Sequence, residues 1–188
     1  MIGQWFGSSE HASGLFLVLG SVALFPGLIM FWLRWIRSGR RDNVPPSLAH
    51  FVWERSFVMA AVVLAVIGFE LFDSVLQNTA GGLLARAGAT AYLFGGILGV
   101  AAEALNLKPG QETYALVVIY VVLAFLGQAA IGGALLLSGL LAPWLGWVAV
   151  IWNIAWLVAL LVISPRDIDY PVLQHFAPLL IGIALLMK

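Results

Sequence analysis

The sequence predicts an all-α fold, a polytopic bundle of six transmembrane helices. Of its 188 residues, 62% are hydrophobic and only 10% are charged, whereas a typical soluble domain is roughly 45–50% apolar and about 25% charged. The apolar residues fall into six runs near the length of about 20 residues that a helix needs to cross a hydrocarbon core about 30 Å thick. Transmembrane β-strands would instead alternate over segments of about ten residues. The chain is therefore predicted to be an integral membrane protein.

The six runs are separated by polar breaks that are too short to hold a soluble domain. Short connections place consecutive helices side by side and antiparallel, so residues 1–188 are predicted to form a single transmembrane domain. Residues 1–13 lack the basic stretch and the cleavage site of a secretory signal, so the first run is expected to be retained. The predicted helices span residues 13–36, 51–76, 82–105, 113–137, 144–163 and 172–188.

The basic residues predict how the bundle is oriented. Nine Lys and Arg balance nine Asp and Glu, so no net field attracts nucleic acid. Threading six helices through the membrane places only Arg86 and Lys188 on one side. Because basic loops stay in the cytoplasm, both termini are predicted to be extracytoplasmic. The basic residues on the predicted cytoplasmic side are Arg34, Arg37, Arg40, Arg41, Arg55, Lys108 and Arg166.

Small residues and prolines predict how the helices pack and bend. Gly95 and Gly99 form a small-xxx-small face on the third helix, which lets another helix approach closely, either from the same bundle or from a second copy. Pro26 and Pro178 each remove a backbone donor inside an apolar run. At Pro178, the carbonyl that loses its helical partner is that of Gln174. The absence of Cys excludes disulfides and thiolate metal ligands.

A group of ionisable residues near the outer ends of the second and third helices is the leading functional candidate. Glu70, Asp73 and Gln77 share one stripe of the second helix, and Arg86 enters from the third helix at similar depth. Within a membrane, such groups usually face the bundle interior, pair with one another and mark function. Arg86 is expected to pair with one carboxylate, and the other could donate or accept a proton. The alternative is a structural ion pair that locks the two helices together.

Polar and aromatic residues on the fourth and fifth helices are predicted to complete an outward-opening pocket beside this group. Gln128 and Asn153 lie near mid-membrane, and Trp152 and Trp156 lie too deep for an interfacial aromatic belt. The candidate catalytic residues are Glu70 and Asp73. The candidate ligand-binding residues are Arg86, Gln128, Trp152, Asn153 and Trp156.

A second cluster of ionisable residues is predicted on the cytoplasmic side, and we interpret it as a layer of interfacial salt bridges. Two histidines with carboxylates could hold a metal, but the sequence lacks the tight ligand spacing of a metal site. A haem between His50 and His175 would lie near an interface. The sequence therefore predicts no metal and no cofactor. The cluster comprises His50, Glu54, Arg55, Glu103, Arg166, Asp167, Asp169 and His175.

The stretch GLLAPWLGWVAVIWNIAWLVAL, residues 139–160, resembles a hairpin in uncharacterised small bacterial multi-pass membrane proteins. In those proteins a G-L-L-P-x-W-L-G-W-like turn leads into a late transmembrane helix, whereas here Ala142 intervenes before Pro143. The resemblance implies a bacterial inner-membrane protein of about six helices, and it supplies no catalytic residues.

Three functions remain open from the sequence. The first is binding or transport of a small lipophilic or weakly polar ligand in the outward-opening pocket. The second is an intramembrane enzyme that performs acid–base chemistry on an isoprenoid or lipid, with Trp152 and Trp156 stabilising cationic character. The third is an accessory subunit of a larger membrane complex. The expected partners are membrane lipid, a lipophilic small molecule, and a second copy or a membrane-complex partner.

Overall fold

A computed structural model describes residues 8–37, 47–107, 112–163 and 173–188. Over these ranges the chain is helical, and it contains no strand. The first five helices begin and end within a few residues of their predicted bounds. The helices are α1 (Ser9–Arg37), α2 (Leu48–Leu76), α3 (Gly82–Asn106), α4 (Tyr114–Ser138), α5 (Pro143–Ile163) and α6 (Phe176–Leu186).

Five of these helices, α1 to α5, are long and apolar enough to cross a membrane. The chain is thus a multi-pass membrane protein by its helices, as its composition predicts. Within the sixth predicted run, 172–188, α6 covers only 11 residues and is about 16 Å long at 1.5 Å per residue. It is therefore too short to cross a core about 30 Å thick. Proline is favoured in the first turn of a helix, and Pro178 lies in the first turn of α6.

Consecutive helices pack side by side, and the last helix returns to the first. Each of α1 to α5 packs against the next, while α6 packs mainly against α1 and more lightly against α5. We call the end of the bundle where α1 begins and α6 ends the Lys188 end, and the end where α1 finishes and α2 begins the Arg34 end. At the Lys188 end, Nζ of Lys188 lies 3.1 Å from a carboxylate oxygen of Glu10.

Paired glycines set the closest helix crossings. A Cβ on Gly88 of α3 would lie 2.6 Å from the carbonyl oxygen of Gly127 on α4, and a Cβ on Gly127 would lie 2.7 Å from that of Gly88. Gly132 and Gly146 meet in the same way between α4 and α5. Such backbone contact replaces the hydrophobic drive that lipid cannot supply between helices.

The predicted small-residue face of α3 packs inside the bundle. A Cβ on Gly95 would lie 3.0 Å from the Cβ of Leu123, and one on Gly99 would lie 2.9 Å from the ring of Tyr120. Both neighbours belong to α4. The prediction of close packing at Gly95 and Gly99 is therefore confirmed, and the partner is a helix of the same chain.

Candidate functional site

The two residues just before α6, Gln174 and His175, lie buried in the middle of the bundle. The His175 carbonyl accepts a hydrogen bond from Ser21, which lies about 18 Å along α1 from Ser9. The Gln174 carbonyl accepts one from Gln128, about 15 Å along α4 from its end at the Lys188 end of the bundle. Asn153 lies at a similar distance along α5. This depth is near the centre of a hydrocarbon core about 30 Å thick. We call it the middle level.

Three side chains from three helices hold three consecutive carbonyls at the start of α6. Nε1 of Trp152 donates to the Leu173 carbonyl at 2.8 Å, and Nε2 of Gln128 donates to the Gln174 carbonyl at 2.9 Å. Oγ of Ser21 donates to the His175 carbonyl at 3.1 Å. Because lipid offers no water to solvate backbone groups, side-chain donors at this depth stabilise carbonyls that the helix leaves without a donor, as Pro178 does for that of Gln174. We call this arrangement the carbonyl clamp.

The bond to Gln174 follows from the position of Pro178. Proline has no N–H, so a helix that contains it leaves the carbonyl four residues earlier without its usual donor. The sequence predicts that this carbonyl is freed, and the structure shows Gln128 of α4 donating to it. Gln128 and Trp152 were predicted as ligand-binding residues, and in the structure each uses its N–H group to hold backbone.

Several buried polar atoms at the middle level have no hydrogen-bond partner among the described residues. Most buried polar groups in proteins are paired, and the cost of an unpaired one is highest where water is excluded. Here the unpaired atoms are concentrated around the start of α6. They are both amide atoms of Gln174, both ring nitrogens of His175, Oε1 of Gln128, Oδ1 of Asn153 and the hydroxyl of Tyr92.

Helix register places Gln128 and Asn153 opposite each other. A Cβ on Gly132 of α4 would lie 2.9 Å from the Cβ of Ala149 on α5. Because the two helices are antiparallel, one turn further along each brings Gln128 to the level of Asn153. Nδ2 of Asn153 donates to the Ala149 carbonyl of its own helix, which leaves Oδ1 as an acceptor.

A cavity of about 140 Å³ adjoins the start of α6 on the side of α1. His175 is among the residues that line it and is only 3% exposed. Phe25 and Phe176 also line the cavity and are 54% and 38% exposed, so it opens toward the lateral surface of the bundle. Its remaining lining is Ser21, Leu24, Leu28 and Leu179.

Aromatic rings pack beside the carbonyl clamp. The ring of Trp152 lies with its centroid 4.4 Å from that of Phe176 and 5.8 Å from that of Trp156, edge to face. The predicted aromatic pair on α5 therefore forms, and Trp152 connects it to a residue that lines the cavity.

The predicted carboxylate–arginine group lies nearer the Lys188 end than the middle level. Nε of Arg86 donates to Oδ2 of Asp73 at 2.5 Å, and the Arg86 side chain is 63% exposed. Asp73 is buried, whereas Glu70 is exposed and forms no ion pair with any described residue. Asp73 lies about 5 Å along α2 from Leu76, so it is about 10 Å nearer the Lys188 end than Gln128 and Asn153 are. The structure thus divides the predicted site residues between two depths, and their functional roles stay a prediction.

The second predicted cluster forms an ion-pair network near the Arg34 end. Nε and Nη2 of Arg34 each donate to one oxygen of Glu54, both at 3.1 Å. Arg55 lies 3.4 Å from Glu54 and 2.8 Å from Glu103. The network joins α1, α2 and α3, in agreement with the predicted salt-bridge layer. Arg166, Asp167 and Asp169 lie outside the described residues.

His175 does not join the salt-bridge layer in which the sequence placed it. His50 lies near the Arg34 end, where its Nε2 is 2.9 Å from the Met30 carbonyl oxygen. His175 lies instead at the middle level beside Ser21. The physical reason is the length of the last run, since the 13 residues of chain from His175 to Lys188 cover about 20 Å as helix and do not reach the Arg34 end of the bundle.

Sequence reasoning missed Ser21, Tyr92 and the side chain of Gln174. For Gln174 a signal was present, because a proline four residues later frees its carbonyl and so predicts a polar environment there. Ser21 and Tyr92 lie in apolar runs without any distinguishing pattern.

Comparison of the chain with protein-family models, with curated proteins and with solved structures gives no match. The function proposed below therefore depends on the geometry of the site.

Proposed function

We propose that this multi-pass membrane protein binds a small lipophilic ligand in the cavity between α1 and α6. The observation that carries the proposal is His175, a buried residue that lines that cavity at the middle level and whose two ring nitrogens lack a partner among the described residues. A ligand that brings a hydrogen-bonding group to His175 would remove the cost of leaving it unpaired.

The shape of the cavity supports a ligand that arrives from the lipid. Its lining is mostly aliphatic and aromatic, as in most small-molecule sites, with few polar groups to orient the ligand. The exposed rims of Phe25 and Phe176 leave a lateral opening. An apolar cavity of about 150 Å³ holds one benzene molecule, so a volume of about 140 Å³ admits one end of a lipid-like molecule.

We further propose that the Lys188 end faces the outside of a bacterial inner membrane. Support comes from the basic residues, which the sequence concentrates at the other end of the helices. The cavity lies at the middle level, so ligand could reach it from within the bilayer whichever leaflet it comes from. Transport and catalysis remain alternatives that add a second step to the same binding event.

Photolabelling with a membrane-soluble alkyl diazirine tests the proposal. We expect adducts to be enriched on residues around the cavity, relative to other lipid-facing positions, in the purified full chain in nanodiscs. Leu28→Trp should fill the cavity and abolish this enrichment. The matched control is Leu83→Trp, because Leu83 is 84% exposed on α3 and does not line the cavity. Equal labelling of all lipid-facing helices would contradict the proposal.

A further inference from the structure

We infer that the ligand headgroup at His175 is a hydroxyl, so that the bound molecule is a lipophilic alcohol. This inference rests on the proposed function, since it names the chemical class that the same cavity would take. It depends on three features of the described residues: the unpaired donors and acceptors that lie beside the cavity, the positions of the charges, and the size of the cavity.

The polar atoms at the head of the cavity offer two acceptors and one donor. A neutral imidazole has one N–H donor and one acceptor nitrogen, and both are free on His175. Oγ of Ser21 uses its hydrogen on the carbonyls of Leu17, at 2.9 Å, and His175, at 3.1 Å, so only its lone pairs remain for a ligand. A hydroxyl can donate to one of these acceptors and accept from the imidazole. A carbonyl can only accept, and it would leave both acceptors unpaired.

The charges of the described residues lie away from this head. Every charged residue in the described ranges lies within about 11 Å of an end of its helix, measured along the helix axis. Glu54 and Arg55, for example, lie near the Arg34 end, and Asp73 and Arg86 lie near the Lys188 end. At the middle level the described side chains are neutral. A carboxylate, phosphate or ammonium at His175 would therefore enter a low-dielectric site without a partner charge, which is strongly unfavourable.

The rest of the cavity accepts hydrocarbon. Leu24, Leu28 and Leu179 line it with Phe25 and Phe176, so the carbons next to the hydroxyl would lie against apolar side chains. A volume of about 140 Å³ holds the hydroxyl and the first few carbons, and a longer tail would continue through the lateral opening into lipid. This arrangement fits a flexible chain that ends in a primary alcohol.

A panel of matched ten-carbon ligands tests the inference in the full chain in nanodiscs. The probes are decanol, 2-decanone, decanoic acid and decylamine, with affinities measured by native mass spectrometry. We expect decanol to bind at least tenfold more tightly than each of the other three. His175→Phe should lower decanol affinity at least tenfold, while His175→Gln, which keeps a donor and an acceptor, should retain most of it.

The outcomes separate the two proposals. If the ketone, the acid or the amine binds as tightly as decanol, the headgroup assignment is wrong although the ligand site stands. If none of the four binds and the diazirine shows no enrichment, the proposed function fails and the headgroup assignment fails with it. Equal decanol affinity for His175→Phe and the unmodified chain would also overturn the inference, because His175 would not touch the headgroup.

Discussion

The amide of Gln128 has one bonded atom and one free atom. Its Nε2 donates to the Gln174 carbonyl at 2.9 Å, while Oε1 is buried without a partner among the described residues. The first atom holds α6 in place, and the second faces the level where Asn153 also has a free oxygen. One atom of Gln128 therefore has a structural role, and its role in ligand binding stays a prediction.

Replacing Gln128 by Leu should remove the bond and leave the Gln174 carbonyl unpaired. Hydrogen bonds between transmembrane helices contribute about 0.6 kcal/mol on average and up to ~1.7 kcal/mol, and an orphaned carbonyl adds to the cost. We expect a loss of about 1 kcal/mol or more in the free energy of unfolding, measured by denaturant titration in detergent micelles. Gln77→Leu, at an exposed position, is the control. An equal effect of both substitutions would show that the bond does not contribute.

Glu54 is a buried carboxylate that forms ion pairs with two arginines. It is 2% exposed and faces Arg34 and Arg55. Glu54→Gln should leave two guanidinium groups without their shared counter-charge, and removing one partner of a buried pair costs about 3–5 kcal/mol. We expect the unfolding transition to shift accordingly. Glu70→Gln, at an exposed carboxylate without an ion pair to any described residue, should change stability by no more than about 0.5 kcal/mol. The reverse order of effects would contradict this account.

At the scale of the element, α6 differs from its five neighbours because its start is supported by side chains of other helices. Its packing against α1 depends on Gly14 and Gly182, where a Cβ on either residue would lie 2.9 Å from the other's carbonyl oxygen. One crossing point and the carbonyl clamp thus position both halves of an 11-residue helix. His175 is held beside the cavity by this arrangement, so the site depends on helix placement as well as on residue type.

The glycine crossings predict a contrast between two similar substitutions. Gly88→Ala should push α3 from α4, because its new Cβ would meet a backbone oxygen at 2.6 Å. Gly133→Ala should be tolerated better, since the Cβ would meet only the end of the flexible Leu84 side chain, also at 2.6 Å. We expect a clear drop in thermal stability in detergent for the first variant and a small change for the second. Similar melting temperatures for the two would argue against backbone contact at Gly88.

At the scale of the whole molecule, polar groups are sorted by depth. Ion pairs join helices near both ends of the bundle, as at Asp73–Arg86 and Arg34–Glu54, and neutral amides, hydroxyls and one imidazole occupy the middle level. Charges near the ends can reach the interfacial region, whereas charge at the membrane centre is costly. Neutral polar groups at the centre are thus compatible with stability and still able to recognise a ligand.

The proposed orientation can be tested by labelling, because the chain contains no Cys and single cysteines give an unambiguous signal. We expect Lys188→Cys and Gln77→Cys to react with a membrane-impermeant maleimide in intact cells. Glu112→Cys, near the opposite end of the bundle, should react only after the cells are lysed. Labelling of Glu112→Cys in intact cells, with protection of the other two, would reverse the orientation.

The helices could be predicted from the sequence because a membrane of known thickness imposes their length on the apolar runs. The sequence could not predict that Arg86 pairs with Asp73 and not with Glu70. Both carboxylates lie on one stripe of the helix, and only packing decides which one is buried. The level of His175 was missed for a related reason. A hydrophobic run of 17 residues, 172–188, is long enough for a marginal span, and hydropathy does not show where the helix within it begins.

The carbonyl clamp also constrains how the protein is made. The donors Ser21, Gln128 and Trp152 lie on α1, α4 and α5, and their acceptors follow all three helices in the chain. During synthesis Gln128 and Trp152 must wait, without water to satisfy them, until the α6 segment is inserted, whereas Ser21 can already donate to the Leu17 carbonyl of its own helix. Packing of the bundle is therefore completed only when α6, the last helix to be synthesised, has inserted. Chains stalled before that step would expose polar groups to lipid, which makes them natural targets for membrane-bound chaperones and quality-control proteases.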